Sequence, residues 1–148
     1  MHELAAVGIF GTLREDDREL LASYGEFQPV KSGAVIIEEG QLQPHLYCVL
    51  SGELRVVRFN ATDAFTIATL YPGDSIGEMA IFDLSPASAT VQAVHFTQVW
   101  RIAYEQLMAF VNDNPTSGVQ ILTALLITLS RRMKQIDPLT SGAAKKIE

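Results

Sequence analysis

The sequence predicts a mainly β domain, an antiparallel sandwich or barrel of jelly-roll kind, with helices at both ends. Three observations predict it. Between Phe27 and Ile102, short β-rich runs alternate with Gly, Pro, Asn and Asp. Ahead of them lies a segment with acidic residues early and apolar residues late. Behind them runs a long stretch with apolar residues at helical spacing.

The first thirty residues read as helical. Leu4, Val7, Ile9, Phe10 and Leu13 make a short apolar element interrupted near Gly8 and Gly11. From Arg14 to Tyr24, Glu15, Asp16 and Asp17 come first, where the helix dipole favours negative charge, and Leu20, Leu21 and Tyr24 come last. Gly25 is the expected stop. Strands are expected near Phe27–Val30, Ala34–Glu38, His45–Leu50, Leu54–Phe59, Phe65–Leu70, Thr90–Ala93 and Gln98–Ile102. Ser32-Gly33, Glu39-Gly40, Ser51-Gly52, Asn60 to Asp63 and Pro72-Gly73-Asp74 supply the turns between them.

Tyr104 to Val111 reads as a short helix. Asn112 to Pro115 then breaks it, with Asn114 as the N-cap and Pro115 as the first residue of the next helix. That helix should run to about Ile136, where Asp137-Pro138 stops it. At 1.5 Å per residue it would span roughly 33 Å. Residues 1–138 are expected to form one domain, and the small, polar stretch 139–148 a flexible tail.

Composition narrows the function. The 148 residues suit a single domain, and 48% of them are hydrophobic, enough for a core. Asp and Glu outnumber Lys and Arg by 17 to 11, giving a net charge of −6. A chain that gripped nucleic acid through phosphates would carry a basic face, so no nucleic-acid partner is expected for this chain alone. The N-terminus has no basic stretch leading into a long apolar core. Val119 to Leu129 is too short to span a bilayer and contains Gln120, Thr123 and Thr128. A cytoplasmic location without membrane attachment is expected. Cys48 lies in an apolar run and reads as a small buried hydrophobe.

No enzyme chemistry is expected. A metal centre on a β-barrel needs clustered histidines, whereas His2, His45 and His95 are scattered. No Ser or Cys has a visible base partner. Trp100 and Phe96 read as core residues rather than ligand stackers.

The long helix carries a second signal. Val119, Leu122, Leu126, Leu129, Met133 and Ile136 are spaced alternately by three and four, the pattern of a coiled-coil seam. Ile121, Ala124, Leu125 and Ile127 are apolar as well. A helix lying on its own domain needs one stripe. This one has enough for two, so a homodimer through the seam is expected, with a single broad face to the parent domain as the alternative.

The stretch from Tyr71 to Val91 carries the chemistry. A Pro-Gly-Asp turn leads into Gly77-Glu78, then one apolar helical turn, a loop, and Ser88-Ala89-Thr90 entering a strand. Gly77 lets the backbone approach a ligand closely, and the amides of the following turn favour an anion. Glu78 beside them would accept hydrogen bonds from a sugar hydroxyl next to a phosphate.

From these fragments the chain resembles the cyclic-nucleotide-binding domains of catabolite-activator-type regulators, kinase regulatory subunits and gated channels. The resemblance covers roughly Phe10 to Ile136. It rests on Lys31-Ser32-Gly33, Glu39-Gly40, Leu46-Tyr47, Ser51-Gly52, Gly73-Asp74, Gly77-Glu78-Met79-Ala80, and Pro86 with Ser88, Ala89 and Thr90, in that order and spacing. It implies an eight-stranded β-roll flanked by helices, with Gly77 to Thr90 as the phosphate-binding cassette. It implies that Glu78 binds the ribose 2′-hydroxyl, and that Gly77, Met79, Ala80, Ser88 and Ala89 surround the cyclic phosphate. Thr123, Thr128 and Ser130 on the long helix become possible base contacts, with bonding to their own helix backbone as the alternative.

One position departs from the pattern. Family members that bind cyclic nucleotides carry an arginine just before the cassette's Ser or Thr, and here that position is Ala87. Losing one partner of a buried charge pair costs about 2–5 kcal/mol, roughly 30- to several-thousand-fold in affinity. Arg55, Arg58 and Arg101, on neighbouring strands, are the candidate substitute cations. The expected function is a regulatory module for cAMP, cGMP or another anionic ligand, with weakened or altered specificity and no other cofactor. The alternative is a degenerate dimerisation or scaffold module of the same fold.

Overall fold

The computed structural model describes residues 3–60 and 63–135. A 3-10 turn at Gly8–Phe10 and helix α1 (Glu15–Ala22) precede the strands. Strands β1 (Glu26–Val30), β2 (Val35–Ile37), β3 (His45–Ser51), β4 (Leu54–Asn60), β5 (Asp63–Leu70) and β6 (Ser75–Ile76) follow. Helix α2 (Glu78–Phe82) interrupts them, and β7 (Thr90–Ala93) and β8 (Thr97–Ala103) complete the set. Helices α3 (Tyr104–Asp113) and α4 (Pro115–Gln135) end the described chain.

All strand pairs are antiparallel. They form two four-stranded sheets, ordered β1-β8-β3-β6 and β2-β7-β4-β5. The eight-stranded roll with flanking helices is therefore present. Its seven longer strands lie where turn chemistry and β-rich runs place them. The eighth, β6, has two residues between the Gly73 turn and Gly77, too few to show a period in sequence.

The central strand β3 is buried on both faces, which explains its unbroken apolar run. Tyr47 and Val49 face the other sheet and pack with Val30, Ile37, Leu54, Val91 and Val99. Leu46 and Cys48 face the helices and join Phe10, Leu13, Leu21, Trp100, Ile102, Leu107, Phe110, Ile121 and Leu125. The fold thus has one core between the sheets and a second between the β3–β8 sheet and the helices. Burial pushes the Cys48 thiol far up, with the charge of Glu78 adding to the effect, so it is an unreactive packing group.

Several expectations need correction. The first apolar element is a single 3-10 turn, because Gly8 adopts a φ of 57° and stops a longer helix from forming. Helix α1 is shorter than Arg14–Tyr24 at both ends. Trp100 is buried, with its Nε1 donating to the Ala22 carbonyl at 3.2 Å, but Phe96 is exposed in the turn before β8. Asn114 starts α4 through its carbonyl, which accepts from the Gly118 amide at 2.7 Å. Its side chain instead donates to the Phe110 carbonyl at 3.2 Å and closes α3.

Helix α4 divides its apolar residues. Ile121 and Leu125 are buried in the helix-side core, with Leu122 and Ala124 packed against it. Val119, Leu126 and Met133 are 62, 67 and 69% exposed and recur every seven residues. Leu122 and Leu129, the other seam residues, are half-buried, and Ile136 lies outside the described residues. No helix among the described residues is long and apolar enough to cross a membrane.

Candidate functional site

Gly77 begins the site and is fixed by its surroundings. Its φ is 98°, and a Cβ there would stand 2.4 Å from the His45 carbonyl oxygen and 2.9 Å from Gln43 Nε2. The close backbone approach that Gly77 permits is therefore to β3 of its own domain. Gln43 pins that strand in place. Its Nε2 donates to the His45 carbonyl, and its Oε1 accepts from the His45 amide, both at 2.7 Å.

Glu78 is the first residue of α2 and is only 2% exposed. Burial of a carboxylate is tolerated only when charge and hydrogen bonds compensate it. The Ser75 hydroxyl donates to Oε2. Arg132, from α4, donates through Nη1 to Oε1 at 2.6 Å and through Nη2 to the Ser75 carbonyl. One guanidinium thus ties α4 to both β6 and α2.

The far end of the loop is fixed by backbone pairing. The Ala87 amide donates to the Gln41 carbonyl at 2.9 Å, and the Gly40 amide donates to the Ala87 carbonyl at 2.8 Å. Both polar backbone groups of Ala87 are engaged by the 40–41 turn, so only its methyl group faces the interior space.

Between these two ends lies a cavity of about 390 Å3. All seven candidate residues, Gly77, Glu78, Met79, Ala80, Ala87, Ser88 and Ala89, line it. Its floor is apolar, from Ile37, Val56 and Val91 of the roll, and Leu129, Arg132 and Met133 of α4 cover one side. The first amides of α2 have no acceptor within their own short helix. Ser88 is exposed to the opening. The arrangement presents hydroxyls, amides and one ion pair to a molecule with an apolar body.

Other candidates lie elsewhere. Thr123 is exposed, and the Thr128 hydroxyl donates to the Ala124 carbonyl at 3.0 Å, so neither lines the cavity. Ser130 is exposed as well. Thr123 falls on the face of α4 opposite Arg132, and Thr128, one turn before Arg132, is turned to its own helix backbone. The three candidate substitute cations are also placed away from the cavity. Arg55 reaches Gln92 Oε1 at 3.2 Å, Arg58 is exposed, and Arg101 pairs with Glu26 at 2.9 Å. The cation that does reach it is Arg132, which sequence reasoning passed over. Its signal was its place on α4, three residues after Leu129 and next to Met133.

The model of the cyclic nucleotide-binding domain family matches residues 27–114. The chain belongs to that family. Among its relatives, the Cyclic AMP receptor protein of Thermus thermophilus is 29% identical over 130 residues, which are 87% of this chain and 58% of that protein. The crystal structure of the Thermus thermophilus Catabolite Activator Protein superposes with a TM-score of 0.80 at 28% identity, covering 90% of this chain and 62% of the other. The regulatory domain of Toxoplasma gondii PKA, co-crystallised with cAMP, gives a TM-score of 0.61 at 27% identity, covering 75% and 42%. The chain thus spans about three fifths or less of these relatives. The cyclic nucleotide-binding domain is a regulatory ligand-binding module, and the cavity here lies between α2, the 85–89 segment and α4.

Proposed function

We propose that this domain is a sensor that takes a cyclic-nucleotide-like ligand into the cavity between α2, the 85–89 segment and α4. The ligand joins an anionic group to a largely apolar body, and cAMP and cGMP are the first candidates. One observation carries the reading: seven residues separated in sequence by a loop line one open cavity, and α4 closes its side through Arg132 and Glu78. A ligand entering there touches the cassette and α4 together. Occupancy is then passed to α4 and, through Val119, Leu126 and Met133, to a second copy of the chain. On this reading the domain binds and relays, and it catalyses nothing.

A second reading is favoured by Ala87 and by the engagement of Glu78 with Arg132 and Ser75. On that reading the domain is a dimerisation element whose cavity has lost its ligand. Calorimetric titration of cAMP and cGMP into the native protein and into Ala87→Arg separates the two. Micromolar binding by the native protein supports the sensor. Binding by Ala87→Arg alone supports the dimerisation element. No binding by either protein overturns a cyclic nucleotide as the ligand.

A further inference from the structure

We propose that Arg132 receives the anionic group of the ligand, supplying from α4 the positive charge that Ala87 does not. The inference rests on the sensor reading above. Among the described residues lining the cavity, Arg132 is the only cation. Its guanidinium offers five N–H donors in a planar fork. Glu78 and the Ser75 carbonyl engage two of them, one on each terminal nitrogen, and three remain. The side chain is 38% exposed and lines the cavity.

Preorganisation favours this role. An arginine side chain loses much rotamer freedom when it is fixed. Here Glu78 and Ser75 have already fixed it, so an arriving anion meets a donor edge that is held still. The partner carboxylate also sets the class of ligand. Glu78 and Arg132 together are close to neutral, which disfavours a multiply charged anion and suits a single negative charge such as a cyclic phosphodiester. The Ser85 and Ser88 hydroxyls line the same cavity and can share that charge. Ile37, Val56, Val91 and Leu129 offer the body of the ligand an apolar wall. The anion then sits at the α4 side of the cavity, and its charge is borne by the helix that carries the exposed seam.

The test is calorimetric titration of cAMP into five proteins: native, Arg132→Gln, Arg132→Lys, Arg132→Gln with Ala87→Arg, and Arg132→Gln with Glu78→Gln. The last leaves no unpaired carboxylate, so it reports on binding if Arg132→Gln alone folds poorly. Arg132 is part-exposed, so its loss should weaken binding about tenfold. Arg132→Lys should recover part of that loss. Ala87→Arg should restore binding in the Arg132→Gln background, because a cation returns from the opposite wall. Unchanged binding in both Arg132→Gln and Arg132→Gln with Glu78→Gln overturns the inference and leaves the sensor reading intact. A loss that neither Arg132→Lys nor Ala87→Arg recovers assigns Arg132 to structure alone and also overturns it. If none of the five proteins binds cAMP, the sensor reading fails for that ligand and the inference fails with it.

Discussion

Gly25 and Trp100 touch so closely that a Cβ on residue 25 would stand 2.6 Å from the indole ring. The same Cβ would lie 2.5 Å from the Arg101 carbonyl oxygen. Neither neighbour can move easily. Trp100 packs edge-on against Phe10 with ring centroids 5.6 Å apart, and Arg101 is held in the β1–β8 ladder. Gly25→Ala should therefore destabilise the domain by about 1–3 kcal/mol, the usual range for overpacking a filled core. Urea denaturation would read this as a lower midpoint with an unchanged slope. A midpoint equal to the native one would show that the α1–β1 junction yields freely.

The ion pair at the cavity is a question of stability as well as binding. Arg132→Ala leaves the buried Glu78 carboxylate with only the Ser75 hydroxyl as a side-chain partner. Breaking a fully buried pair costs about 3–5 kcal/mol, and the partial exposure of Arg132 reduces that to about 1–2 kcal/mol. Adding Glu78→Gln should return part of the loss, because a neutral amide needs less compensation than a charge. Equal stability of native protein and Arg132→Ala would mean that water replaces the guanidinium at no cost.

Much of this architecture was legible in the sequence, and the failures have physical causes. The β3 run could be read because a strand buried on both faces is continuously apolar. Gly77, Glu78 and Ser88 could be singled out from their spacing, and the fold brings them to one cavity. Strand β6 could not, since two residues carry no period. A cation was sought on the strands, at Arg55, Arg58 and Arg101, none of which lines the cavity. The cation that lines it, Arg132, is on α4, and the packing of that helix on the roll turns residue 132 inward and leaves Thr123 outward. Sequence spacing fixes the face a helical residue shares, but not the direction that face points.

His45 gives the fold an acid-side weakness. Partial burial holds its imidazole below the ordinary value of 6.5; the charge of Arg101 adds to this, and Glu26 opposes it. The folded state therefore binds a proton on His45 less readily than the unfolded chain. Its contribution to stability is fully present above about pH 6.5 and is lost as pH falls through the folded-state value. His45→Gln keeps a polar side chain that does not titrate. Between neutral pH and about pH 5, its stability should decline less steeply than that of the native protein. Parallel declines would show that His45 titrates alike in both states.

The exposed stripe of α4 makes the last prediction. Val119, Leu126 and Met133 repeat every seven residues and are exposed, while Ile121 and Leu125 are buried; Met133, at the end of the row, also borders the cavity. An apolar row of this kind is costly to leave in water and fits a matching row on a second α4. Leu126 is at its centre and contributes nothing to either core. Leu126→Asp should therefore leave the denaturation midpoint of the isolated fold nearly unchanged and convert a dimer to a monomer in light scattering. Two aspartates facing each other across the seam would repel, and each would lose hydration. If the native protein is already a monomer at high micromolar concentration, the stripe serves some other contact, and the route from cavity to partner must start elsewhere. If the native dimer survives the substitution, its interface lies off this stripe. Because Arg132 sits one residue before Met133, a ligand that shifts this guanidinium should also shift the monomer–dimer balance, and titrating cAMP during the light-scattering measurement would detect it.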